Sequence, residues 1–195
     1  MNDRIIREAL VKLLRSDDPS AAIIHELPLA RGHGRADVVC VNGMMAGFEI
    51  KSDQDSLRRL TDQCQIYDRA FEQSSVVVAR RHLEQVITHV PERWGIFVAD
   101  QGPTVFITCV RPPQVNPHTD AELLTRILWK TECLRVLKHQ GIHVDANTPI
   151  LRLWQRLLEF PASVLAAEVR ETLKQRKAAP QLFQCDDLRT TGAIG

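Results

Sequence analysis

The stretch RADVVCVNGMMAGFEIK, Arg35 to Lys51, decides how this chain folds. Two apolar runs flank Asn42-Gly43, so the stretch reads as two adjoining strands, Arg35 to Val41 and Met45 to Ser52. In the second strand the alternation of Phe48, Glu49, Ile50 and Lys51 buries Phe48 and Ile50 on one face. Glu49 and Lys51 then come together on the other. Asp37 completes an Asp-x11-Glu-x-Lys spacing. Two carboxylates and an amine converging at a strand edge can hold a hard divalent cation beside a phosphate.

This site makes a demand on the hairpin. Side chains alternate with period two, so Asp37 and Glu49 share a face only if the numbers of paired residues sum to an even value. A two-residue Asn42-Gly43 turn would pair Val41 with Met44 and separate the carboxylates. A three-residue loop with Gly43 in the left-handed conformation pairs Cys40 with Met44 and brings them to one face. Asp37 would then lie opposite Gly47 and diagonal to Glu49, at the roughly 7–8 Å of such diagonal neighbours.

Before the hairpin, Asn2 or Asp3 caps a first helix with apolar positions Ile5, Ile6, Ala9, Leu10, Leu13 and Leu14, ended by Asp17-Asp18-Pro19-Ser20. Ala21 to Leu29 reads as a strand, and Arg31-Gly32-His33-Gly34 as a bend into the hairpin. Asp53-Gln54-Asp55-Ser56 offers a cap for a helix through about Gln73. Ser75 to Ala79 is a short strand of the kind buried on both faces. A helix over Leu83 to Val90 and strands over Trp94 to Ala99 and Thr104 to Val110 follow. The order α-β-β-β-α-β-α-β-β predicts an α/β fold, a mixed sheet with helices packed on it.

Residues 1–110 form this core, and residues 111–118, with three prolines between Arg111 and Pro117, are a linker. From there to residue 179 the pattern is helical only, over Asp120–His139, Pro149–Glu159 and Ala162–Ala178. Gln181 to Gly195 reads as a loose tail. The helical lobe carries ten Lys/Arg against seven Asp/Glu. Its apolar positions suit packing on the core, a DNA-facing role, or docking of a second copy or a protein partner.

The 195 residues, 44% hydrophobic, are enough for a core of real size. A net charge of +1 means that any basic surface is local. Five scattered cysteines with no CxxC or Cys/His cluster argue against zinc and for reduced thiols in a cytoplasmic protein. No apolar run is long enough for a membrane span, and the charged N-terminal stretch lacks the core of a signal peptide. The histidines show no ligand spacing, and Ser52 has no obvious histidine partner for covalent catalysis.

Asp-x11-Glu-x-Lys on a hairpin, preceded by a helix and strand and followed by a helix, resembles the PD-(D/E)XK nuclease superfamily. Gln63-Cys64-Gln65-Ile66-Tyr67 is similar to the Gln-x-x-x-Tyr element of its RecB-like members, and Gln63 and Tyr67 share a helix face. The segment from Arg35 to Asp68 looks closest to a small bacterial family within that superfamily. Asp37 follows Ala36 rather than proline, a departure that lowers the specificity of the motif on its own.

The resemblance implies a restriction-endonuclease-like αβββαβ core and a nuclease using Mg²⁺ or Mn²⁺ to hydrolyse phosphodiester bonds in DNA. Asp37 and Glu49 would bind the metal, and Lys51 would orient the attacking water and stabilise charge on the phosphate. Gln63 would position the water or the Lys51 amine and Tyr67 would contact the substrate backbone, unless both simply cap the hairpin face. Glu26 and Glu8 are candidates for an additional metal carboxylate. Arg35, Arg58 and Arg59, with Arg31, Arg80 and Arg81, would form a phosphate-contacting rim. The rival readings are a nucleic-acid-binding or scaffolding protein without turnover, a nuclease acting on RNA, and a structural protein whose hairpin charges are surface decoration.

Overall fold

The computed structural model describes residues 1–29 and 34–178. The bend residues Arg31 to His33, and with them Arg31 as a rim residue, lie outside the described residues, as do Cys185 and the tail from Gln181. The core elements are α1 (Asp3–Asp17), β1 (Ala22–Leu29), β2 (Gly34–Val41), β3 (Met45–Lys51), α2 (Leu60–Ala70), β4 (Gln73–Ala79), α3 (Leu83–His89), β5 (Gly95–Gln101) and β6 (Val105–Arg111). Four helices follow: α4 (Ala121–Ile127), α5 (Lys130–His139), α6 (Ile150–Leu157) and α7 (Ala162–Ala178). The fold is α/β, and the element order is the one the sequence predicts.

The six strands lie side by side in chain order in one sheet. β3, β4 and β5 run parallel, whereas the β1–β2, β2–β3 and β5–β6 pairs are antiparallel. The side chain of Asn2 accepts the Ile5 N–H at the start of α1, which lays Ile6 and Leu10 on one face of the sheet with Ile23, Val38, Phe48 and Ile50. The other face buries Val39, Val41, Met45, Val76 and Val78 under α2 and α3.

Leu123, Leu124, Leu165, Val169 and Leu173 of α4 and α7 belong to that same buried cluster. The segment entering α4 is tied to the core, since Asn116 Nδ2 donates to the carbonyls of Asp68 and Phe71. The single helix expected over Asp120–His139 breaks at Leu128, whose backbone is extended. Glu132 Oε2 accepts the Trp129 N–H to start α5, and Arg176 of α7 donates to the freed Ile127 carbonyl. The break lets α4 lie on the sheet side while α5 packs on α6.

The hairpin loop has three residues, Asn42 to Met44, with Gly43 at φ 121°. The pairing is one step from the expected one: Val41 pairs with Met45 and Val38 with Phe48. The sum stays even, but Asp37 now stands level with Glu49 itself and not with Gly47. Burial decides this, because Val41 and Met45 are both fully buried and the expected loop would have placed Val41 in the turn.

Candidate active site

The backbone ladder between β2 and β3 stops at Val38–Phe48. Beyond that rung Arg35 and Ala36 stay paired with β1, while Glu49, Ile50 and Lys51 stay paired with β4. The sheet therefore forks, and Asp37 and Glu49 face each other across its opening. Asp37 replaces the missing ladder with its side chain, Oδ2 accepting the Ile50 N–H at 2.8 Å. The fork has a second cause in β1. Glu26 stands level with Asp37 at φ 56°, a left-handed conformation that is uncommon for a residue other than glycine. There the alternation slips: Ala22 and Ile24, then Leu27 and Leu29, all face the α2 side.

Helix α2 supplies the roof. A Cβ on Gly47 would lie 2.3 Å from the Phe71 ring, so only glycine lets the end of α2 come this close to β3. From that contact the two elements keep step. Four helical residues rise about 6 Å, and two strand residues about 6.6 Å. Tyr67 consequently sits over Glu49, and Gln63 over Lys51. The Tyr67 hydroxyl donates to Glu49 Oε2 at 2.8 Å and accepts the Asp37 N–H at 3.3 Å. Lys51 Nζ donates to Glu49 Oε1 at 2.8 Å and to Gln63 Oε1 at 2.9 Å, and Gln63 Nε2 donates to Glu49 Oε1.

Electrostatics follow burial. Glu49 and Lys51 are 2% and 4% exposed, and the Asp37 side chain 18%. Desolvation, then the facing Glu49 carboxylate, push the Asp37 carboxyl up to about 7, although the Ile50 N–H and Arg7 oppose the rise. Burial, then Glu49, also hold the Tyr67 phenol well above its ordinary value, so it stays a proton donor.

Asp37, Glu49, Lys51, Gln63 and Tyr67 are thus brought into one hydrogen-bonded group. Tyr67 is 1% exposed, so it braces the fork and does not face a substrate. Glu8 is not brought in: it is 70% exposed and pairs with Arg4 along α1. The helix turns Arg7 toward the fork in its place. Glu26 is near but committed elsewhere, to Arg7 at 2.6 Å and to Arg35. Among the described residues, no group of three His, Cys, Asp or Glu side chains is arranged to hold a metal ion. Arg58 and Arg59 are exposed on the short 3-10 turn Leu57–Arg59, one helical turn outside Gln63. Arg80 is bound to Asp100, and Arg81 donates to the Asp55 carbonyl.

Arg7 escapes a reading of motifs. Its side chain reaches the fork from the opposite sheet face to Tyr67, and Nη1 donates to the Asp37 carbonyl at 2.5 Å. The signal available in the sequence was the Asp3–Arg7 pair one helical turn apart.

A family model described as Bacteriophage P4 protein cII matches residues 2–189. Protein cII of Enterobacteria phage P4 is 31% identical over 123 residues, which cover 63% of this chain and 47% of that protein. The chain therefore spans about half the length of that curated relative. No solved structure matches the chain.

Proposed function

We propose that the chain, which belongs to the bacteriophage P4 protein cII family, is a metal-dependent nuclease that hydrolyses phosphodiester bonds in DNA. The observation that carries this reading is the fork itself, where two desolvated carboxylates face each other with an ammonium beside one of them. Lys51 sits on Glu49 and Arg7 lies 3.7 Å from Asp37 Oδ1, yet burial and the facing Glu49 still raise the Asp37 carboxyl. Carboxylate oxygens are the donors a hard divalent cation takes. Asp37 and Glu49 would hold Mg²⁺ or Mn²⁺, and the bound ion would polarise the phosphate and acidify a water. The restriction-endonuclease-like arrangement of the core belongs to this proposal as well.

The chain's own groups have definite roles in it. Lys51 spends two of its three N–H bonds on Glu49 and Gln63 and keeps one for a phosphate or water oxygen. Gln63 fixes that ammonium and Glu49 together. Tyr67 fixes the other Glu49 oxygen and the Asp37 backbone. Arg35, Arg58 and Arg59 would meet the phosphates flanking the cleaved bond, giving affinity without sequence preference.

One observation favours a second reading, binding without turnover. Glu49 and Lys51 are almost wholly buried and already satisfied by each other and by α2. The two readings separate in a cleavage assay on supercoiled, linear and single-stranded DNA and on RNA with Mg²⁺ or Mn²⁺. Wild type is expected to nick DNA only with metal, and Asp37→Ala and Lys51→Ala to lose activity by at least about a hundredfold with the fold retained. Activity surviving both substitutions overturns the site. A folded wild type that binds DNA but leaves it intact sinks the nuclease reading and favours the second.

A further inference from the structure

We infer that Arg7 is a positioning residue of the fork, acting through Asp37; the inference rests on the nuclease reading for its catalytic consequence. Four groups converge on this one guanidinium. Nε and Nη2 donate to Asp3 at 3.2 and 3.1 Å, on the same helix. Nη2 lies 2.6 Å from Glu26 Oε1 on β1 and 3.7 Å from Asp37 Oδ1 on β2. Nη1 donates to the Asp37 carbonyl.

The carbonyl contact matters most. On the fork side of Val38 the chain of β2 has no ladder to β3, so the Asp37 backbone is held there only from outside the pair. Tyr67 takes its N–H from the α2 face, and Arg7 takes its C=O from the α1 face. Together they hold the Asp37 backbone, and with the Ile50 N–H on Oδ2 they fix where the carboxylate points. Asp3 holds the guanidinium by a separate edge, and the Glu26 charge balances it, so Arg7 is neutralised and oriented before any substrate arrives. A planar fork with five fixed N–H bonds can serve three elements at once, which a lysine ammonium on a flexible stem cannot.

Arg7 is largely covered, at 16% exposed, and three carboxylates surround it, so it is poorly suited to bind a phosphate itself. Its removal should therefore change the geometry of the reacting groups and not the affinity for DNA. A displacement of the order of 1 Å at such a group costs about a hundredfold in rate.

The experiment compares wild type, Arg7→Gln, Arg7→Lys and, as a control on the exposed side of α1, Arg4→Gln. Amide hydrogen exchange at Asp37 and Ile50 is expected to quicken at least about tenfold in Arg7→Gln and in Arg7→Lys, with Val77 in the core unchanged. With Mn²⁺ and DNA, kcat is expected to fall by about a hundredfold and KM to stay within about twofold. Arg4→Gln is expected to match wild type in both. Unchanged exchange at Asp37 and Ile50 overturns the inference, as does full recovery of kcat by lysine, which would reduce Arg7 to a charge. Should Arg7→Gln fail to fold, Arg7→Lys carries the same comparison. Faster exchange in a protein that never cleaves DNA would leave the positioning of Asp37 standing and remove the nuclease reading alone.

Discussion

Asp37 is where burial and charge oppose each other. An aspartate in water ionises near 3.8, and here burial and Glu49 raise that to about 7. The unfolded chain thus releases this proton about three pH units before the folded one does. The contribution to stability is full below the unfolded value and is lost as pH rises through about 7. The shift sets an upper bound of about 4 kcal/mol on that loss, and the bond from the Ile50 N–H is already counted in it. Asn keeps an oxygen for that N–H and carries no charge. Asp37→Asn should therefore unfold at a higher temperature than wild type near pH 8 without metal, and the advantage should vanish near pH 4. Melting curves across that range decide it: a difference that does not change with pH would mean Asp37 is ionised in the fold at no cost. The grouping of Asp37, Glu49 and Lys51 could be read from spacing, since strand alternation and an even pairing put all three at one place in the hairpin. Arg7 could not, because its meaning depends on β1 and β2 arriving beside it, and Glu8, one position later, looks the more plausible ligand on paper.

At the scale of elements, the site comes from α2 lying over β3 with matched rise, one helical turn to every second strand residue. Gly47 under Phe71 sets the distance, and Tyr67 over Glu49 sets the fork. The hydroxyl of Tyr67 stands where a ladder bond would otherwise join the strands, holding the Asp37 N–H while donating to Glu49. Tyr67→Phe keeps the ring against Phe71 and Trp94 and removes only that oxygen, leaving a buried N–H and a carboxylate oxygen short of a partner. The expected loss is about 1–3 kcal/mol in chemical denaturation, with a fall in metal-dependent cleavage greater than the stability change explains. Unaltered stability would mean that the strands close the gap by themselves. The order of elements and the even pairing of the hairpin were readable because apolar alternation and one glycine turn encode them. The exact rung was not, since it turned on whether Val41 or Met44 would be left in the loop, a question settled by burial from elements far away in the chain. The slip at Glu26 has no signature in the sequence either, as nothing local asks a glutamate to take φ 56°.

Over the whole molecule, the question is whether the C-terminal helices are an appendage or part of the core. Composition suggests a boundary at the prolines after Arg111, yet the packing does not stop there. Leu173 of α7 is fully buried in the cluster that also contains Val39 and Val76 of the sheet. Arg170 of the same helix reaches Glu72 at 2.8 Å, and Glu72 Oε2 accepts the Met45 N–H at the start of β3. A chain of contacts therefore runs from α7 to the strand that carries Glu49 and Lys51. If the helices are one cooperative unit with the sheet, Leu173→Ala should lower the stability of everything at once, by about 2–5 kcal/mol for a buried leucine. Trp94 lies against Tyr67 in the sheet core, and Trp129 stacks under Arg176 in the helices, so single-tryptophan variants report on each part separately. Coincident denaturation curves, both moved by the same amount in Leu173→Ala, are the expected result. Separate transitions, with only the Trp129 signal moved, would make the helices an independent lobe. The fork would then owe its geometry to residues 1–110 alone.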